Sequence, residues 1–459
     1  MVETGLEVIR LMQNARTSPD FLNKSVIYQL FLRSFTPQGT LQAASGLLDH
    51  LAELDIDIVY LCPIALSDDD DRPEYWSKRQ VASGLGNPQN PYRIKDFFTI
   101  DPEYGSDEDL MFFVHKAHRL GLKVMLDLVY LHCGPKAVFI DEHPEFVKRT
   151  ESGDVLYGPW NFPLLDFEAP TLREYLWQNM EHFVRTFNVD GYRCDVGDGC
   201  PLDFWEKGRQ RLEAIRPDIV LLNEGTRPEY LLTAFDVNYD FKWSSTLLKV
   251  FKGEAPATDL VAYWQELHEK LPAGGLCLKA LDSHDIANDS YEQRIESVIG
   301  GKAVEAALLV NFTLDGIPFL YNGYEAADTN RHSIYGNRFY GKNLTIDWSQ
   351  FLTEKGKNRC AFLRSLIGLR HAWPALTSGS VQWLPHSAPG QVLAFMRKSV
   401  DQQLLITINT SDLPLRVALD FAEDHTGNDF VLCRGADCTS HNGQLTVDLL
   451  PYGFCIMSV

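Results

Sequence analysis

Short apolar runs rich in β-branched residues alternate along this chain with stretches whose apolar positions recur every three or four residues. The first run covers residues 25–35, a helical stripe follows over 41–54, and a second run covers 58–64. The rhythm continues with a helix predicted over 106–120, a strand over 122–130, a helix near 171–187 and a strand over 189–196. Further strands are predicted at 219–223, 276–281 and 317–322, the last followed by a long loop and a helix over 354–371. Fully buried parallel strands read as continuous apolar runs, and intervening helices supply the crossovers between them. The pattern predicts an α/β fold, and eight such units closing on themselves make a (β/α)8 TIM barrel.

Two stretches break the rhythm. Residues 133–170, between the third strand and its helix, are rich in Gly, Pro and acidic side chains without a helical stripe, and read as a short inserted subdomain. From about Pro374 the pattern changes to short strands with turns between them, at 392–397, 403–409, 415–419 and 453–459, which predicts a C-terminal β-sandwich domain. The expected organisation is therefore a catalytic barrel over 1–374, carrying the insert at 133–170, and a β-sandwich over 375–459. The acidic run Asp68 to Asp71 reads as a solvated loop rather than an ion site.

Composition narrows the function. A chain of 459 residues has material for two or three domains. Its net charge of -20 would repel a phosphate backbone, so no nucleic acid partner is expected. No apolar stretch reaches about 18 residues, so no membrane span is expected. Residues 1–16 alternate charged and apolar positions like an amphipathic helix and lack the basic end and apolar run of a signal peptide, which points to a cytoplasmic protein. Nine cysteines form an odd set without metal-ligand spacing and read as reduced thiols. The aromatic share of 12% could serve sugar rings, but any single aromatic is more simply a core residue.

Chemistry concentrates where the predicted strands end. The third strand closes in DLVYLH (Asp127 to His132), the fourth in DGYRCD (Asp190 to Asp195), the fifth in LLNEG (Leu221 to Gly225) and the seventh in LDSHD (Leu281 to Asp285). One acidic residue at a strand end is usually a helix cap or loop charge. Three carboxylates from three strands, with two His and one Arg, would converge on one pocket if the barrel closes. Acetal cleavage needs such a set: one carboxylate attacks, one carboxylic acid protonates the leaving oxygen, and the retaining version holds them roughly 5–5.5 Å apart. Arg193 lies two residues before Asp195, on the same strand face, and can keep it ionised. Glu224 must instead carry a proton, so burial and the charge of Asp195 should raise its pKa.

On these residues the chain resembles the α-amylase superfamily of (β/α)8 retaining glycosidases over nearly its whole length. The family's Asp with a His five residues on is matched by Asp127 and His132, its G-x-R-x-D by Gly191, Arg193 and Asp195, its Glu by Glu224, and its His-Asp pair by His284 and Asp285. Further similarity lies in FLRSF near the first strand, in YRIKDFFTIDPEYG from Tyr92 and in GIPFLYNGYE from Gly316. The resemblance implies Asp195 as nucleophile, Glu224 as general acid/base and Asp285 as the carboxylate that grips the hydroxyls of the distorted sugar. It further implies that Tyr92 stacks on that sugar, that His132, His284 and Arg193 hydrogen-bond its hydroxyls or hold Asp195, and that Asp127 supports the architecture.

Departures bear on metal and product. Leu131 stands where the family usually has an Asn that ligates structural calcium, and residues 36–40 lack the Asp and Asn run used by some members for a second ion. No cofactor and no metal ligand are expected, since an alkyl group cannot coordinate a hard cation. Asp198 and Gly199 replace the Lys-His pair that touches the leaving-group side, so acceptor binding must be built differently. Trp160, Phe162 and the Tyr75-Trp76 pair are candidate walls of outer subsites. The expected partner is an α-glucan or maltooligosaccharide, and hydrolysis of its α-1,4 bonds is the first reading. A transglycosylase of the same fold uses the same carboxylates and stays open, while a non-catalytic relative would usually lack one of them.

Overall fold

Residues 13–289, 294–340, 344–421, 430–441 and 444–459 are described by the computed structural model. The expected amphipathic start lies almost wholly outside them. Ten strands precede the C-terminal domain: β1 (Ile27–Leu30), β2 (Ile58–Leu61), β3 (Ala65–Ser67), β4 (Ile94–Ile100), β5 (Lys123–Leu128), β6 (Gly191–Cys194), β7 (Val220–Asn223), β8 (Val237–Asn238), β9 (Leu276–Lys279) and β10 (Ile317–Tyr321). Eight of them, β1, β2, β5, β6, β7, β8, β9 and β10, close into a parallel barrel in that order. Every residue of β1, β2, β6 and β7 is buried. That is why those runs carry no polar alternation: helices cover the outer face and side chains fill the inner one.

The helices carry their own boundary signals. Asp107–Arg119 starts at a capping box in which Ser106 and Asp109 exchange side-chain and backbone bonds, and it ends in Lys116, His118 and Arg119, charges that suit the helix dipole. Pro170–Phe187 has Pro at its first turn and stops at Asn188 in the left-handed region.

Some expectations need correction. The first strand stops at Leu30, and Leu32–Phe35 is a short helix. The cause is tertiary: the Asn322 carboxamide at the end of β10 accepts the Phe31 amide at 2.7 Å and turns the chain away from its ladder. The stripe at 41–54 divides into Leu41–Ser45 and Leu48–Glu53. The sixth barrel strand, β8, is only two residues long and carried no readable pattern.

Between β2 and the helix at Asp107 the chain makes an excursion containing the antiparallel β3–β4 pair and the helix Lys78–Ser83. The acidic run inside it is not a solvated loop throughout, because Asp68 and Asp70 are fully buried. Asp68 accepts the amides of Asp70 and Lys136 at 2.7 and 2.6 Å, while buried Arg93 donates to the carbonyls of Asp68, Asp70 and Pro88 at 3.1, 2.7 and 2.9 Å. Arg93 thus satisfies a knot of backbone oxygens that would otherwise be stranded without water. Segment 133–170 holds itself by isolated bridges such as Val147 with Leu165 and Tyr157 with Pro163, and docks on β4 through Gly134 N to Ile94 O at 2.6 Å.

After the helix Glu354–Ala372 come β11 (Ser380–Trp383), β12 (Val392–Lys398), β13 (Gln403–Asn409), β14 (Leu415–Leu419), β15 (Phe430–His441) and β16 (Gln444–Ser458). All pairings are antiparallel, and β16 joins β13 with its last residues and β14 with its first. Two packed faces result. Leu393, Phe395, Leu404, Ile406, Ile408, Phe454 and Ile456 belong to the core shared with the barrel, while Val392, Ala394, Met396, Leu405, Val447 and Leu449 form a second core inside the domain. The helix Gly301–Thr313 is apolar on nearly all sides because it lies between barrel and sheet.

Candidate active site

Because parallel strands all point one way, the ends of β5, β6, β7 and β9 deliver their polar clusters to one mouth of the barrel. Arg193 is fully buried among them. Its Nη1 donates to Asp127 Oδ1 and Oδ2 at 2.9 and 3.0 Å and to Asp195 Oδ1 at 2.7 Å, and its Nη2 lies 2.7 Å from Glu224 Oε1. Register explains the convergence: Asp127 is the ladder partner of Arg193, and Leu222, two residues before Glu224, is its partner on the other side. One guanidinium therefore gathers carboxylates from three consecutive strands.

The residue after Asp195 is unusual. Val196 sits in the left-handed region at φ 43°, costly for a β-branched side chain, by about 1–3 kcal/mol. That backbone turn aims its amide at Glu224 Oε2, 2.8 Å away.

Burial drives the Asp195 carboxyl well above its ordinary pKa, reinforced by the charges of Glu224, Asp127 and Asp285 and opposed by Arg193. Burial also raises Glu224, with Asp285 and Asp127 adding to it and Arg193 and the Val196 amide pulling back. The expectation that Arg193 simply keeps Asp195 ionised is thus incomplete. Its charge is divided among three carboxylates, and desolvation outweighs its share. Asp195 and Glu224 titrate as a pair that retains one proton to higher pH than isolated carboxylates would.

Asp285 stands apart electrostatically. Its side chain is 35% exposed, with Arg79 Nη1 3.0 Å and His284 Nε2 3.3 Å away. Burial works against its ionisation, but His284, Arg79 and Arg193 together outweigh that and draw its pKa below the usual value. His284 is fixed from behind by Gln29: Oε1 accepts the His284 amide at 3.0 Å, so Nε2 donates to His284 Nδ1 at 2.6 Å. The imidazole proton then sits on Nε2, 2.7 Å from the Tyr92 hydroxyl, which donates to Asp127 Oδ2 at 3.1 Å. Rings of Tyr92 and His284 stack at 5.2 Å. His132 donates from Nε2 to the Tyr92 carbonyl at 2.9 Å, and burial lowers its pKa to about 4, so it is neutral at pH 7.

These groups line a cavity of about 440 Å³. Tyr92, His132, Asp195, Glu224, His284 and Asp285 all reach it. Arg193 lies behind them and holds carboxylates instead of meeting sugar hydroxyls. Trp160 and Phe162 also line the cavity, beside His132. Tyr75 and Trp76 are not among its lining residues: the Trp76 indole donates to the Asp70 carbonyl at 3.0 Å, and Tyr75 packs on Tyr157 at 5.6 Å. Asp198 accepts from Asn223 Nδ2 and the Thr226 amide at 2.9 and 2.7 Å. Leu131 packs against Gly199.

Sequence reasoning missed Gln29, Arg79 and Tyr239. Gln29 was signalled only as a polar residue inside an apolar run. Tyr239, whose ring faces the Arg193 guanidinium at 5.7 Å, follows the two-residue strand β8. Arg79 reaches Asp285 from a remote excursion, which no spacing announces.

Residues 14–157 match the family model of the alpha amylase catalytic domain, and residues 382–456 match that of the maltogenic amylase C-terminal domain. A cyclomaltodextrinase from Geobacillus thermopakistaniensis is 25% identical, over 96% of this chain and 78% of its own. Neopullulanase 2 from Thermoactinomyces vulgaris is 25% identical over 95% of this chain and 78% of its own. The crystal structure of a maltogenic alpha-amylase from Thermotoga neapolitana superimposes with a TM-score of 0.80 at 22% identity, covering 95% of this chain and 99% of that one. The closed barrel and the C-terminal antiparallel domain are thus the fold of that structure, and residues 14–157 and 382–456 are similar to the two domains of amylases that the family models describe.

Proposed function

We propose that this enzyme hydrolyses α-1,4-glucosidic bonds of maltooligosaccharides by double displacement, with Asp195 as nucleophile and Glu224 as acid/base. The observation that carries the reading is the single buried guanidinium of Arg193 holding Asp195 and Glu224 at the mouth where Asp285 also stands. One proton on the Asp195/Glu224 pair is the state the reaction starts from. The Asp195 carboxylate attacks C1 while Glu224 gives its proton to the glycosidic oxygen, and the alcohol leaves. Water, deprotonated by Glu224, then releases the sugar with its anomeric configuration retained. Asp285, kept anionic by His284 and Arg79, accepts hydrogen bonds from the ring hydroxyls, and the Tyr92 ring beside it forms the platform under the sugar. The names of the relatives, cyclomaltodextrinase and neopullulanase, support a starch-type substrate.

Transglycosylation remains the second reading, favoured by the apolar lining on the Glu224 side of the cavity. No calcium is assigned a part, because Leu131 offers no ligand atom; tight calcium binding, with Kd below micromolar, would contradict this. The nine thiols are all free, which supports action in the cytoplasm; recovery of the protein outside the cell would refute it. The deciding experiment is digestion of maltooligosaccharides and soluble starch by the wild type and Asp195→Asn, with products resolved by length and anomer. Release of α-anomers by the wild type alone is expected. Longer oligomers would mean transfer to sugar, β-anomers would mean inversion, and unchanged activity in the variant would remove Asp195 from the mechanism.

A further inference from the structure

The cavity has two unlike sides. Around Asp285 it is polar, with Arg79, Ser77, Tyr92 and His284 at its surface. Near Glu224 the lining is formed by Val196, whose amide meets the carboxylate, by Tyr239 over the Arg193 guanidinium and by Phe241 against Tyr239, and Leu248 from the helix that Phe241 opens also lines the cavity. This second side is where a leaving group must lie, since Val196 holds Glu224, the group that protonates the departing oxygen.

Most polar atoms on that side are already committed, the buried Tyr239 hydroxyl excepted. The Asp240 carboxylate accepts the Trp243 amide at 3.0 Å, the Tyr263 hydroxyl, and Lys279 Nζ at 3.3 Å. Ser244 donates to the Ala280 carbonyl at 2.9 Å and Ser245 to the Lys242 carbonyl at 3.0 Å. Asp198 is held by Asn223, Thr226 and Arg227. Phe241, by contrast, is 51% exposed. A sugar placed here would surrender water from several hydroxyls and find few partners, whereas an alkyl or aryl group would lose only unfavourable hydration.

We infer that the leaving-group side of this site accepts apolar aglycones, so that the enzyme cleaves alkyl and arylalkyl α-glucosides and, in reverse of that step, transfers glucosyl units to apolar alcohols. The inference rests on the proposed double displacement. In cleavage the C1–O bond to the alcohol breaks, Asp195 bonds to C1, Glu224 supplies the alcohol's proton, and water restores both groups. In transfer an apolar alcohol takes the place of water and gives its proton to Glu224.

The test uses methyl, benzyl and octyl α-glucosides and α-maltosides, none of them an activated leaving group, beside maltotriose. The expected result is a KM about tenfold or more lower for benzyl than for methyl glycosides, collapsing to within about twofold in a Phe241→Ser, Leu248→Asn double variant. With maltotriose as donor, the wild type should also make benzyl glucoside in preference to methyl glucoside from equal concentrations of the two alcohols, a measurement that needs no variant. A benzyl-to-methyl ratio near one in the wild type overturns the inference, as does a preference that survives in the folded double variant. If maltotriose is cleaved while the ratio is near one, only the aglycone inference falls. If neither maltotriose nor any glycoside is cleaved, the proposed function falls with it.

Discussion

At the scale of single residues, the site depends on how one positive charge is divided. Arg193 serves Asp127, Asp195 and Glu224 at once, and the negative charge of Asp127 raises the pKa of both the others. Neutralising Asp127 removes a repelling charge and leaves more of the guanidinium for the catalytic pair, so both should ionise more readily. In Asp127→Asn both limbs of the kcat/KM profile are expected to move to lower pH, by on the order of 0.5–1 unit. A variant that lost activity with its profile in place would show Asp127 to be scaffolding alone. Val196 gives the second prediction. Its left-handed backbone strains a β-branched residue to point one amide at Glu224. Val196→Gly relieves that strain, so the unfolding free energy from chemical denaturation should stay or rise by up to about 1 kcal/mol. The freed backbone should hold Glu224 less well and lower kcat. Lower stability with unchanged kcat would mean that Val196 matters through its side-chain packing.

At the scale of elements, the strand ends place the chemistry, and close backbone approach sets their register. Gly191 opens β6, and a Cβ there would fall 2.3 Å from the Val220 carbonyl oxygen of β7. The glycine of the G-x-R-x-D stretch is thus required by the strand next to it. Gly191→Ala must separate β6 from β7, the strands leading to Asp195 and Glu224. A stability loss of about 1–3 kcal/mol and a fall in kcat larger than the change in KM are expected from chemical denaturation and steady-state kinetics. Equal activity would show that the strands can shift without moving the carboxylates. Legibility followed the same division. Strands of four or more buried residues announced themselves as apolar runs, and the carboxylates that end them were readable because charge after such a run is costly without a purpose. Two residues of β8 cannot make a pattern, and nothing local distinguishes Leu32–Phe35 from a continuing strand. The acidic run misled for a related reason: Asp68 and Asp70 are buried with Arg93, which lies 25 and 23 positions away.

At the scale of the whole molecule, barrel and C-terminal sheet share one core, and the junction is closed by buried arginines as well as by apolar side chains. Arg397 of β12 is fully buried and donates to the carbonyls of Thr313, Ala375 and Gly379 at 2.9, 3.0 and 2.9 Å. Those three oxygens end a barrel helix and begin the chain's passage into the sheet, so one side chain ties the two domains at the point where they meet. Beside it Arg370, from the last barrel helix, donates to the Asn23 carbonyl within the barrel, and burial, with the repulsion of Arg397, lowers its pKa. Replacing Arg397 by Met keeps the apolar stem and removes all the donors. The Thr313 and Ala375 carbonyls then stay buried and that of Gly379 part-buried without this partner, each at a cost of about 1–3 kcal/mol where water cannot reach. The melting temperature should fall by several degrees, while kcat/KM at 25 °C stays at the wild-type level, since the junction lies away from the residues lining the cavity. An unchanged melting temperature would mean that water enters the junction and that apolar packing alone joins the domains. A loss of kcat/KM in protein that is still folded would mean that the sheet acts on the geometry of the strand ends, and that it is part of the catalytic apparatus as well as of the scaffold.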